Sequence, residues 1–307
     1  MISFRYHIVS IVAVFLALAV GLLAGSAFVE PELVDQLRTQ TNRLRDRVAE
    51  LEGSLTESRE SVEGLDAFVD AALPYLTRNR LLGTGVVIVT LEGMDGAVLS
   101  QTQAILAGAG ANVIATMSAR SALLSDDPTR QAELAEILGR SDAEAADLPS
   151  LAAGALAERL APAERRETDP DADVLNQLLS AGFLEPAGSG VSETALEEVG
   201  GFGQVVVVLA GGPGDAPPLE PEAFSVPLVR SLASLGVPVA AGEPLVTDVP
   251  FVETIREVDD PGTVTVDDLD RPMGAAALIL GLEELLTTGR GSAYGIKDGA
   301  VPLPSGP

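Results

Sequence analysis

The spacing of apolar residues changes twice along this chain, and each change marks a different kind of element. From Ile8 to Val29, IVSIVAVFLALAVGLLAGSAFV, there is no charged residue and the only polar side chains are Ser10 and Ser26. These 22 residues match the roughly 20 that a helix rising about 1.5 Å per residue needs to cross a bilayer core of about 30 Å. The run exceeds the roughly 7 to 15 apolar residues of a secretory leader, although Gly25-Ser26-Ala27 also fits a cleavage site. Ala13, Ala17, Gly21 and Gly25 recur every four residues. They line one helix face with small side chains that let two membrane helices approach closely.

After Glu30-Pro31-Glu32, where proline suits the start of a helix, the period becomes 3.5. Positions 34 to 72 alternate by three and four, with Val34, Leu37, Thr41, Leu44, Val48, Leu51, Leu55, Ser58, Val62, Leu65, Val69 and Ala72 on the stripe. One half of this seam is mostly β-branched and the other mostly leucine, the distribution that favours two parallel strands. A helix lying on its own globular core would instead follow 3.6. The 39 residues would form a rod of about 58 Å, which Gly53 and Gly64 weaken by about 1 kcal/mol each without breaking the pattern. In a homodimer Arg47 faces the partner copy's Glu52, whereas Arg38, Arg45 and Arg59 find no opposite charge. Both self-association and a more acidic heteromeric partner helix are therefore open.

From Leu81 the texture becomes short β-branched runs separated by glycine turns. Val86 to Leu91 reads as a buried strand, Gly96 to Ala107 as a helix and Asn112 to Thr116 as a second strand. Val205 to Leu209, Glu222 to Leu235 and Val237 to Ala241 repeat this unit, and Asp126 to Ala187 between them is helical in spacing. Pro272 to Leu286 is an apolar helix whose amino end suits the carboxylates of Asp267, Asp268 and Asp270. The chain thus divides into a leader (1–7), a transmembrane anchor (8–29), a coiled-coil helix (32–73), an α/β domain (81–287) and a Gly/Pro-rich, flexible tail (288–307). The fold class is α/β, an open, mostly parallel, Rossmann-like or flavodoxin-like sheet with helices on both faces.

Charge and composition narrow the function. Nineteen Lys+Arg against 45 Asp+Glu give a net charge of -26, which argues against nucleic acid as a partner. The basic residues are split around the membrane span: Arg5 precedes it, and Arg38, Arg43, Arg45 and Arg47 follow at a distance the positive-inside rule still counts. Cysteine is absent, and the only histidine, His7, precedes the apolar run. Ser-His-Asp, Cys-His and HExxH chemistry are thereby excluded from the α/β domain, and the expectation is a protein that is not an enzyme and has no resident cofactor.

The strand-to-helix loops Glu92–Gly96 and Ala210–Asp215 stand where an α/β sheet binds ligands. Neither carries a phosphate-binding glycine pattern, so both read as turns. Carboxylates gather at Asp259-Asp260, at Asp267, Asp268 and Asp270, and at Glu253 and Glu257 on one helix face. Such groups suit a hard cation or paired-carboxylate chemistry, but in so acidic a chain they read first as solvated surface and a helix cap.

The opening MISFRYHIVSIVAVFLALAVGLLAGSAFVEP, the heptads, VVIVTLEG, the closing VDDLDRPMGAAALILGLEELL and the tail SAYGIKDGAVPLP together resemble the actinobacterial copper transport protein B family, MctB, which includes SteB-like proteins. The resemblance covers nearly the whole chain. It implies a single-pass envelope protein with a cytoplasmic amino terminus and the domain outside the membrane. It also implies one of two roles: copper transport or efflux and copper tolerance, or a scaffold that pairs with a SteA-type membrane partner in cell-wall hydrolysis and septal growth. Copper(I) prefers thiolate, thioether and imidazole ligands. Outside the start codon the chain offers only Met94, Met117 and Met273 besides His7, with Met94 and Met273 the candidates for a metal site. The residues for association are Val34, Leu37, Leu44, Val48, Leu51, Leu55, Val62, Leu65 and Val69, with Gly21 and Gly25 assisting in the lipid bilayer.

Overall fold

A computed structural model describes residues 4–27, 31–162, 171–187, 198–212, 219–248, 250–257 and 262–304. It divides into two compact units, Met1–Leu65 and Asp66–Pro307.

The first unit holds α1 (Phe4–Ala27) and most of α2 (Pro31–Thr77). Residues Arg5–Gly25 of α1 are long and apolar enough to cross a membrane, and none is buried by the described residues of its own unit. The helix α2 starts at Pro31, where a missing amide costs nothing, and runs unbroken through Gly53 and Gly64. It continues through Pro74, beyond the expected end at residue 73. Its last turns belong to the second unit, where Leu73 is buried against Ala275 and Ala276.

The second unit is a seven-stranded sheet in the order β3-β2-β1-β4-β5-β6-β7. The strands are β1 (Gly85–Leu91), β2 (Asn112–Ala119), β3 (Leu184–Pro186), β4 (Gln204–Leu209), β5 (Val239–Gly242), β6 (Thr263–Val266) and β7 (Ala293–Tyr294). All pairings are parallel except β2 with β3. Order reverses between β1 and β4, the switch point of a doubly wound fold. The helices are α3 (Gly96–Gly108), α4 (Pro128–Ile137), α5 (Leu148–Leu160), α6 (Val174–Ser180), α7 (Ser225–Ser234), α8 (Val252–Arg256) and α9 (Pro272–Thr288).

Successive side chains of a strand point to opposite faces, so a strand covered on both sides must be apolar throughout. In β1, Val86 and Ile88 join Val98, Leu106, Leu278 and Leu282 of α3 and α9, whereas Val87 and Val89 join Leu156, Leu160, Leu228 and Leu232 of α5 and α7. The two βαβ units and the helices between them follow the sequence reading. The reading did not include β3, a three-residue antiparallel edge that ends at Pro186, where a missing amide is tolerated. Nor did it include β6 or β7: within 288–307, expected to be a flexible tail, Ala293–Tyr294 forms the strand beside β6 and Tyr294 makes a bridge to Val301.

Candidate functional site

Two regions stand out, the bare stripe on α2 and the carboxyl edge of the sheet. On α2, Leu37, Leu44, Val48, Leu51, Leu55, Val62 and Leu65 are all exposed, Leu44 by 65% and Leu65 by 60%. A run of large apolar side chains at heptad spacing, left uncovered by the described residues of its own unit, is a surface suited to another helix. Val69 differs: it is half-buried, in the turns where Leu73 and Thr77 are buried in the second unit. The free part of the seam therefore ends near Leu65, because the last turns of α2 use that side of the helix to join the domain. The Val34 side chain lies outside the described residues. In α1, a Cβ at Gly21 or Gly25 would meet nothing within 4 Å, so the small-residue face is also bare.

At the switch point the loop after β1 is held tightly. Glu92 accepts the Ser121 amide at 2.7 Å and pairs with Arg120 at 3.1 Å, while Arg120 reaches across to Glu185 of β3 at 2.5 Å. The Ser121 hydrogen bond, more than the arginine, pulls the Glu92 carboxyl below its ordinary value. Asp95 caps α3 through the Ala97 amide at 2.8 Å. The loop after β4 closes on it: Gly212, at φ 153°, lies so near that a Cβ there would sit 3.0 Å from the Asp95 amide nitrogen and 3.2 Å from the Gly93 carbonyl. The described parts of these two loops thus approach each other closely at the crevice where such folds take ligands. Residues 213–215 of the second loop lie outside the described residues.

The ends of β5 and β6 are chemically richer. Glu243, Asp267 and Asp268 have no exposed surface. Lys297 Nζ donates to Glu243 Oε1 at 2.6 Å, and the amides of Phe251 and Val252 donate to Oε2 at 2.7 and 3.1 Å. Arg256 Nη1 donates to Asp267 Oδ2 at 2.6 Å, and the Ile296 amide to Oδ1 at 2.8 Å. Among the described residues Asp268 has no hydrogen-bond partner at either oxygen, and burial, with Asp267 and Asp270 beside it, pushes its carboxyl up to about 6. Asp270 accepts the Leu245 amide at 2.7 Å.

This corrects the expectation for the acidic run. Asp267 and Asp268 are neither solvated nor a helix cap; Arg271 occupies the cap position of α9 without a side-chain bond. Glu253 lies in the five-residue α8, with Glu257 at its carboxyl end, and Asp259-Asp260 lies outside the described residues. Sequence reasoning missed Glu243 and Arg256. The available signal was Lys297, the only lysine of the chain, in a tail otherwise poor in charge.

The sulfur ligands do not converge. Met94 is half-buried against the α3–α9 core, Met117 is fully buried on the opposite face of the sheet, and Met273 is half-buried in the first turn of α9. His7 is exposed on α1. Among the described residues no group of three or more His, Cys, Asp or Glu side chains is arranged to hold a metal ion.

Comparison with known proteins covers the whole chain. Residues 1–304 match the family described as "Copper transport outer membrane protein, MctB". Proteins named "Copper transporter MctB" from Mycobacterium tuberculosis (strain H37Rv) and Mycobacterium bovis are 27% identical over 99% of this chain and 99% of their own length. The protein of that name from Mycobacterium leprae is 26% identical over the same shares. With a membrane-length helix at its start, a heptad helix behind it and full-length similarity to these relatives, the chain belongs to the MctB family.

Proposed function

We propose that this protein handles copper at the cell envelope as a membrane-anchored oligomer joined through α2. The amino terminus lies on the cytoplasmic side and the acidic α/β domain outside, and the protein acts by binding and association rather than by catalysis. The observation that carries this reading is the bare heptad seam from Leu37 to Leu65 that follows a membrane-length helix in a chain matched end to end by copper transporters. Copper(I) is the cargo, and its soft character selects thioethers, so an oligomer that gathers Met94 or Met273 from several copies is how this chain would hold it. A single apolar helix without ionisable groups lines no path as a monomer, which is why the reading needs association.

The seam also supports a second reading, a scaffold with an acidic partner helix of the SteA type, because Arg38, Arg45 and Arg59 have no opposite charge in a homodimer. One experiment separates the two. Copper(I) is titrated anaerobically, against a competing chelator, into the full chain in detergent. Tight binding at a simple ratio, lost when both Met94→Leu and Met273→Leu are present, supports copper handling. Absence of binding overturns it and leaves the scaffold.

A further inference from the structure

At the carboxyl end of β5 and β6 three carboxylates without exposed surface share two basic partners. Lys297 serves Glu243, and Arg256 serves Asp267 while also bonding Thr265 Oγ1 and the Tyr294 carbonyl. Asp268 is left over. It is wedged against the first turn of α9 so closely that a Cβ at Gly274 would collide with its carbonyl and Oδ1. The groups facing it are Asp267 at the end of β6, Asp270 and Arg271 in its own loop, and Arg256 from α8. Glu243, whose carbonyl accepts the Leu269 amide, and Lys297 of the C-terminal segment stand behind them. Ionised, it would be a buried charge beside another carboxylate with no donor, a state that costs several kcal/mol. No metal-holding group exists among the described residues. The ligand that neutralises Asp268 is then a proton.

The C-terminal segment is the part this proton can control. Residues 295–297 fold over Asp267: the amides of Ile296 and Lys297 donate to its carboxylate, and Gly295 presses so closely on it that no side chain would fit there. Asp267 is thus both the acceptor that holds the segment and the neighbour that Asp268 repels when ionised. We propose that Asp268 is a proton-binding site that latches the C-terminal segment. A proton on Asp268 keeps residues 295–297 closed over Asp267 and Glu243, and release of that proton to solvent lets them open. Opening admits water, which screens the two carboxylates from each other.

Because the closed form holds the proton more tightly than the open one, the open fraction rises with pH between the ordinary carboxylate range and the value in the closed form, and is level above it. The test is hydrogen exchange at the Ile296 and Lys297 amides of the full chain in detergent, corrected for the intrinsic exchange rate. Protection falls by up to about tenfold per pH unit between about pH 4 and pH 6 and is flat above. In Asp268→Asn it is flat throughout.

The sole lysine supplies an independent reading at pH 7.5, since a lysine-specific protease can cut only after Lys297. Asp268→Asn is cut more slowly than the natural chain, and Glu243→Gln, which frees the lysine, faster. Protection that does not change with pH in the natural chain, or a slope unaltered by Asp268→Asn, overturns the proposal. If Asp268→Asn does not fold, the profile of the natural chain decides by itself.

Discussion

Replacing Leu44 and Leu51 by aspartate tests the seam where it is most bare. The two side chains are exposed by 65% and 62%, so pairing would still remove about two thirds of their surface from water. Full burial of a leucine stabilises by roughly 1.5 to 3 kcal/mol, which makes about 1.5 kcal/mol a fair value for each here. In a two-stranded coil four such side chains are lost at once, about 6 kcal/mol or roughly four orders of magnitude in dissociation constant. The buried carboxylates make the loss larger. Sedimentation equilibrium of the full chain in density-matched detergent reads the result directly, since one copy is 31.6 kDa. The natural chain should sediment at a multiple of that mass and the double variant at the single mass. An unchanged mass in the variant, or a natural chain that is monomeric at every concentration, would refute the seam as an interface. Orientation can be read from the end of the seam: the chain has no cysteine, so Leu37→Cys is a unique thiol far from the seam's midpoint, and its oxidation to a covalent dimer requires parallel strands in register.

Other outcomes follow from the domain. Asp268 has a carboxyl raised to about 6 from an ordinary 3.8, so its contribution is greatest below about pH 4, declines as pH rises and is fully lost above about 6. Urea unfolding should show Asp268→Asn gaining about 3 kcal/mol on the natural chain between pH 4 and pH 7, and a constant difference would contradict this. Glu92 has the opposite sign: its carboxyl is lowered, so it supports the fold above the ordinary carboxylate value and loses that support as pH falls through the lowered one. Glu92→Gln should therefore flatten the acid limb of the thermal midpoint. Gly281→Ala should cost about 1 to 3 kcal/mol, because its methyl would lie 2.6 Å from Tyr294 Cε2 and 3.0 Å from Val264 Cγ1; a thermal midpoint within a degree of the natural chain would show the packing to be looser than that.

What could be read from sequence followed from periodicity, and what could not followed from its absence. VVIVTL and VVVVL declare buried parallel strands because helices cover both faces, and α2 declares itself through five heptads. β3 and β7 are three and two residues long and carry no period at all. Their positions are set by what they meet: Arg120 draws Glu185 to the edge of β2, and the close approach of Gly291 to the Thr263 carbonyl seats β7 beside β6.

The acidic loop misled for a related reason. Charge density by itself predicts solvation, yet Asp267 and Glu243 are buried because Arg256 and Lys297, 11 and 54 residues away in sequence, arrive to meet them. A carboxylate whose distant partner exists can be buried charged, and one whose partner does not exist is buried at least cost with a proton. Asp267 and Asp268 are adjacent in sequence and equally inaccessible, so composition and exposure cannot tell them apart. Only the count of donors that reach each one separates the residue that holds the chain's end from the one that senses pH.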